Sequence, residues 1–374
     1  MNIQAEWMRG GTSKCWIFES DHVEQTGISL DLLLPRIFGS PDSRQIDGVG
    51  GATSTTSKAI ILTPSTEAGV DVEYTFAQVG IEEAVVDWGS NCGNCSAVVG
   101  LYAIKQRWVA PTDEITRVVT RNTNTGQIIV QRVDTPNGAL PIVPQAQMPG
   151  VATPGYKVGL GFLDPAGKTT GTLLPTGNAS DELKVAGRSW KVSMVDAGAP
   201  VVVIRAEDLS LNTNDYDSWM SAVELQLPLL DQVRREAAVR MGLAATPEQA
   251  ARAIPKLAIA AAPGVESAND INVMMLSMGK PHPALAITGS IALSLGARTA
   301  GTVLHAIVGD APRATLRLRT PAGVIETFSE ERDGSLLIGA DRTARSIASS
   351  IIHLPESLGS DAGVKLHSAS RAGA

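Results

Sequence analysis

Two stretches decide the fold: Cys92–Ala103, CGNCSAVVGLYA, and Thr288–Thr299, TGSIALSLGART. Each opens on small and polar residues and then continues almost without charge, small or apolar at nearly every position. A helix with one apolar stripe lies on a surface, whereas a helix that is apolar all round must be enclosed. Both stretches therefore read as buried central helices that need a shell of other elements. A shift of 196 positions pairs Gly93 with Gly289 and Gly100 with Gly296.

A second correspondence lies upstream of each stretch. Trp7–Val23, WMRGGTSKCWIFESDHV, and Met194–Leu209, MVDAGAPVVVIRAEDL, share an apolar lead, a small-residue turn, an apolar run and an acidic residue. A shift of 187 pairs Gly11 with Gly198 and Asp21 with Asp208. Two similar offsets near half the chain length point to an internal duplication, and repeats of this kind set the architecture. Strands are expected at Val70–Gly80, Ile115–Asn122, Gly126–Asp134, Tyr156–Leu163, Lys191–Ile204, Ile271–Met278 and Ala314–Thr320. Leu30–Phe38 and Asp217–Met241 read as peripheral helices, the second interrupted near Pro228, and Pro136–Pro154 reads as a long loop. The fold class is α+β. Two pseudo-symmetric domains, residues 1–184 and 185–374, are each a β-barrel-like sheet around a central buried helix.

Bulk properties agree with two globular units. At 374 residues the chain exceeds one ordinary hydrophobic core, and 44% apolar with 18% charged residues is a folded composition. The net charge of −7 argues against nucleic acid as a partner, since that needs a basic surface to release counterions. An acidic chain can still bind an acidic small molecule through local donors such as helix starts. No basic-then-apolar leader opens the sequence and no run of about 18 apolar residues occurs, so a cytoplasmic protein without a membrane partner is expected. Three cysteines give no disulfide framework. The oligomeric state is open, a homo-oligomer included.

Four constellations could carry chemistry. The first runs Asp87-Trp88-Gly89-Ser90-Asn91-Cys92-Gly93-Asn94-Cys95, where a strand turns into a buried helix. Unpaired amides at a helix start bind anions, and a thiol there is expected to have a depressed pKa. Cys92 and Cys95 also read as small core residues, or as a C-x-x-C redox pair, although the compact βαβ pattern of a dithiol protein is missing. No histidine stands at zinc-finger spacing from the cysteines, so no metal site is expected. The second constellation is Arg9-Gly10-Gly11-Thr12-Ser13-Lys14, a flexible turn with hydroxyls and a cation that suits a carboxylate, and equally an ordinary polar turn. In the third, Gly48–Leu62, a loop rich in glycine and hydroxyls runs into an apolar strand with Lys58 at the junction. Such a lysine usually snorkels, but drawn into a cleft it becomes a usable acid or base. The fourth, His282–Ser290, offers a second helix start at Gly289 and Ser290 with His282 as a donor or a structural residue.

Met8–Lys14 (MRGGTSK), Gly50–Lys58 (GGATSTTSK), Asn91–Asn94 (NCGN), Asp196–Pro200 (DAGAP) and Ala286–Ser290 (AITGS), taken in order, resemble the PrpF family of the diaminopimelate-epimerase-like superfamily. Arg342–Arg345 is similar to the family's closing segment. The resemblance implies two epimerase-like domains with the active site in the cleft between them, and double-bond isomerisation or tautomerisation without metal or organic cofactor. It also implies an unsaturated di- or tricarboxylate substrate such as aconitate, methylitaconate or 4-oxalomesaconate. By motif position it places Cys92 and Lys58 as proton-transfer residues and Ser13 in substrate binding. Thr12, Lys14, Asn91, Gly93, Asn94, His282, Gly289 and Ser290 fit the binding turns, and Cys15 and Cys95 receive no role. Related racemases use one thiol from each half, whereas the position matching Cys92 here is Thr288. An unequal pair suits moving a proton between two different carbons, with either Lys58 or Cys92 as base. Two other functions compete with this one, a C-x-x-C redox protein and a non-catalytic carboxylate binder.

Overall fold

The computed structural model of the chain describes residues 1–354 except Ser90, Asn214, 265–266, 311–313 and 333. Ser90, part of the turn read ahead of Cys92, therefore lies outside the described residues.

The first half supplies β1 (Asn2–Gly10), β2 (Ser13–Glu19), β3 (Lys58–Pro64), β4 (Val72–Val79), β5 (Glu114–Asn122), β6 (Ile128–Thr135) and β7 (Tyr156–Leu163). The second supplies β8 (Asp181–Val185), β9 (Arg188–Ala197), β10 (Ala199–Arg205), β11 (Lys256–Ala261), β12 (Ile271–Ser277), β13 (Thr315–Thr320), β14 (Gly323–Arg332) and β15 (Ser335–His353). Between β1 and β7 neighbours pair in the order antiparallel, parallel, antiparallel, parallel, antiparallel, antiparallel. From β9 to β15 the same six relations recur in the same order. This is the duplication that the paired glycines announced, here expressed as topology.

The last strand serves both halves. Residues of β15 up to Ala344 pair with β14 and β7, and from Ala344 onward the strand pairs with β1. Its return closes β1–β7 and β15 into an eight-stranded barrel with no free edge. The strand expected at Lys191–Ile204 is instead two, β9 and β10, folded back on each other at Gly198. That turn needs φ of +67°, a left-handed conformation that glycine adopts without strain.

Helix α1 (Gly93–Lys105) fills the first barrel and α2 (Ile287–Arg298) sits on the second sheet. Gly93–Ile104 and Ile287–Ala297 are buried at every position, as an all-round apolar helix requires. The turns of the two halves grip them in the same way. A Cβ at Gly11 (φ +52°) would lie 2.2 Å from Asn94 Oδ1, and one at Gly198 would lie 3.2 Å from the Thr288 carbonyl. Peripheral helices cover the outside at Leu30–Phe38, Tyr216–Glu224 and Leu227–Arg240, the last with Pro228 in its first turn, where a missing N–H costs nothing. No helix among the described residues is long and apolar enough to cross a membrane.

Candidate active site

The starts of α1 and α2 meet. A Cβ at Gly93 would fall 1.7 Å from Ile287 Cγ2, so only glycine lets the two helices approach this closely. Around the junction lies a cleft of about 210 Å³ walled by both halves of the chain. Of the residues singled out from sequence, Ser13, Lys58, Asn91, Cys92, Gly93, Asn94 and His282 line it. Thr12, Lys14, Gly289 and Ser290 do not: Thr12 accepts a hydrogen bond from Asn94 Nδ2 at 3.2 Å, and the Lys14 ammonium sits 5.3 Å from the Trp7 ring. Gly289 packs on Met275 inside α2, and the Ser290 hydroxyl donates to the Ile287 carbonyl.

Cys92 is the N-cap of α1. Its sulfur accepts the Cys95 amide at 3.5 Å and lies 4.0 Å from Ser13 Oγ. The first helical bond runs from Ser96 N to the Cys92 carbonyl, so the amides of Gly93 and Asn94 have no acceptor within the helix, and both residues line the cleft. The expected depression of the Cys92 pKa does not occur. Its S–H is held by Cys95, and burial adds to this, so the pKa stands well above the ordinary thiol value despite the opposing pull of Lys58 and the Cys95 amide. In the free protein at neutral pH Cys92 carries its proton.

Lys58 reaches the cleft because it opens β3 directly opposite Gln78 of β4, and residues paired across strands share a face. Its Nζ donates to Gln78 Oε1 and lies 4.9 Å from the Phe76 ring. Only 8% of the residue is exposed, which excludes the snorkelling reading.

The NCGN turn is held from both sides. Asn91 Nδ2 donates to Tyr74 Oη at 3.0 Å and Asn91 Oδ1 accepts from Ser96 at 3.3 Å. On the other flank Asn94 Oδ1 accepts Arg342 Nε at 3.3 Å, from β15. Both asparagine side chains are thus occupied in fixing the turn. His282 Nδ1 accepts the Ala284 amide at 3.0 Å, which leaves the ring proton on Nε2 as a donor. Burial, aided by Lys256 and Lys58, pushes the His282 pKa down to about 4, so the ring is neutral.

Two lysines were missed from sequence, Lys256 and Lys280; both line the cleft. With Lys58 they give it three lysine side chains against one carboxylate, Asp87, in a chain whose overall charge is −7. Lys256 opens β11 as Lys58 opens β3, so the repeat offered a signal: a lysine at the same place in the second half. The helices are not equivalent in sulfur. In the register that pairs Gly93 with Gly289, Thr288 stands at the position of Cys92 and provides no thiol.

Known proteins bear on this arrangement. Residues 1–355 match the PrpF family model, described as PrpF protein. The 3-methylitaconate isomerase of Eubacterium barkeri is 34% identical over 95% of this chain and 97% of its own length. The 2-methyl-aconitate isomerase of Shewanella oneidensis is 32% identical over 95% of this chain and 98% of its own. A solved methylitaconate-delta-isomerase superposes with a TM-score of 0.79, covering 94% of this chain and 95% of the other at 34% identity. Identity at this level, sustained from end to end on a shared fold, makes the chain a member of the PrpF family and an isomerase.

Proposed function

We propose that this isomerase moves an allylic proton on a small unsaturated di- or tricarboxylate, with Lys58 and Cys92 as the proton-transferring pair. One observation carries the reading: a thiol that keeps its proton and a buried lysine line a single cleft, among helix-start amides and further ammonium groups. The relatives named for methylitaconate and 2-methyl-aconitate are consistent with an acid of this size.

With the sulfur protonated, we take Lys58 as the base and Cys92 as the acid. Lys58, in its amine form, removes a proton from the carbon beside the double bond. The electron pair shifts through the allyl system to a carboxylate or ketone oxygen, giving a dienolate. Donors aimed at the developing charge lower that barrier, and the Gly93 and Asn94 amides, Ser13 and the neutral His282 Nε2–H are available for it. Cys92 then gives its proton to the far carbon, and the new Lys58 ammonium reprotonates the thiolate to restore the starting state. No electrons are gained or lost overall.

The test is solvent deuterium uptake and absorbance change on aconitates, methylitaconate and oxalomesaconate, with wild type beside Cys92→Ser, Lys58→Ala and Cys95→Ser. Loss of a positioned acid or base typically lowers the rate about 10²- to 10⁴-fold. That loss is expected for the first two variants, with activity surviving in the third. Exchange that persists in Lys58→Ala and Cys92→Ser, or a titratable disulfide with no exchange on any acid, overturns the reading.

A further inference from the structure

Arg342 lies on β15 opposite Val158 of β7, and the residue is 2% exposed. Its Nε donates to Asn94 Oδ1 at 3.3 Å and its Nη1 to the Asp341 carbonyl at 2.8 Å, while Nη2 has no partner among the described residues. No carboxylate among them pairs with it: the acid of its neighbour Asp341 lies 3.2 Å from Lys157 Nζ. Burial lowers the Arg342 pKa to about 10, so the guanidinium stays charged at neutral pH. A buried cation without a counter-ion is costly. Fixing one amide oxygen needs no charge, since a neutral donor would serve, and Asn94 already has a second hold through Nδ2, which donates to Thr12 Oγ1 at 3.2 Å. The charge therefore calls for a reason beyond the fixing of a turn.

That reason lies in where the charge sits. Asn94 joins Arg342 to the cleft, because it lines the cavity and carries one of the two helix-start amides that have no acceptor within α1. Arg342 does not line that cavity, yet its charge reaches it: after burial, Lys256 and Lys58, Arg342 also helps to lower the pKa of the cleft residue His282. A charge kept from water acts over longer distances than one in solvent. We propose that Arg342 is a positioning residue for the isomerisation: its buried guanidinium locks Asn94, and with it the first turn of α1, and backs the Gly93 and Asn94 amides with a fixed positive charge where the dienolate oxygen forms. Donors and charges set in advance, with no reorganisation during the reaction, are worth most to the charge that develops in the transition state. Arg342 therefore acts on turnover more than on binding.

The inference rests on the allylic proton transfer proposed above, and its test separates the two. kcat and KM are measured for wild type, Arg342→Gln, Arg342→Lys and Asn94→Ala on whichever of the aconitates, methylitaconate and oxalomesaconate wild type turns over fastest. Glutamine puts its Nε2 as many bonds from the backbone as the arginine Nε, so it keeps a donor for Asn94 and removes the charge. Expected in Arg342→Gln is a loss of about 10- to 100-fold in kcat, the range for a group that orients a reacting one from behind. KM should change far less, the mark of an interaction made in the transition state. Arg342→Lys, which restores a cation, should exceed Arg342→Gln in kcat; a purely structural hydrogen bond would favour glutamine instead. Wild-type kcat in Arg342→Gln, a loss confined to KM, or a lysine variant no faster than the glutamine one overturns the proposal. Should Arg342→Gln not fold, an unchanged kcat in Asn94→Ala overturns it, since Arg342 then has no link to the cleft. Wild type that exchanges no proton on any of the acids overturns the proton-transfer reading and this inference with it, whereas wild-type turnover beside an unaffected Arg342→Gln overturns this inference alone.

Discussion

Replacing Lys256 by methionine should make the protein more stable at neutral pH. The lysine pKa falls from 10.5 to about 8 on folding, chiefly because burial strips water from the ammonium. A difference of about 2.5 units corresponds to about 3 kcal/mol of destabilisation at 1.36 kcal/mol per unit. Because the folded value lies below the unfolded one, the folded state binds the proton less tightly. The penalty is therefore full below pH 8 and fades as pH rises toward 10.5. Methionine keeps an unbranched chain of similar length in the cleft wall and removes the charge. In urea unfolding at pH 7, Lys256→Met should exceed wild type by about 3 kcal/mol as an upper value, and by about 1 kcal/mol at pH 9.5. Taking the difference between the two proteins cancels every other titrating group that the substitution does not touch. A variant less stable than wild type at pH 7, or a gap that does not narrow with pH, would refute the reasoning: the ammonium would then be held by partners strong enough to offset its desolvation.

Two further outcomes follow from the helix junction. Gly93→Ala would drive a methyl into Ile287 and force the helix starts apart, at a cost of about 1–3 kcal/mol typical of overpacking; matched urea curves of variant and wild type measure it, and an unchanged midpoint would show that α2 yields freely. Cys95→Ala removes the sulfur that holds the Cys92 proton, so the pH midpoint of Cys92 alkylation by iodoacetamide should move down; an unmoved or higher midpoint would leave the raised Cys92 pKa to burial alone.

How the site is assembled explains which of its parts could be read in advance. Lys58 and Cys92 were visible because each ends a local pattern, a hydroxyl-rich loop entering an apolar strand and a glycine-asparagine turn entering an all-apolar helix. The protonation of Cys92 was not visible. A helix start lowers a thiol pKa, and the opposing effects, the neighbouring Cys95 sulfur and enclosure by the barrel, depend on packing. Lys14 and Ser290 lie within the motifs yet face away from the cleft, since strand and helix periodicity carried them to other partners. Arg342, whose Nε steadies Asn94, sits 248 residues further along the chain, and its own segment gave no sign of that contact.

From the sequence alone came the two enclosed helices, most of the strands and the repeat, because hydrophobic periodicity and glycine placement are local properties of the chain. The path of β15, which closes the first barrel by returning to β1, rests on pairings between residues more than 300 positions apart. The third lysine of the cleft, the neutral His282 and the direction of the Cys92 shift were likewise decided by tertiary structure. Each of these depends on which charges and dipoles share a space closed to water, and that space exists only once the two halves have folded against each other.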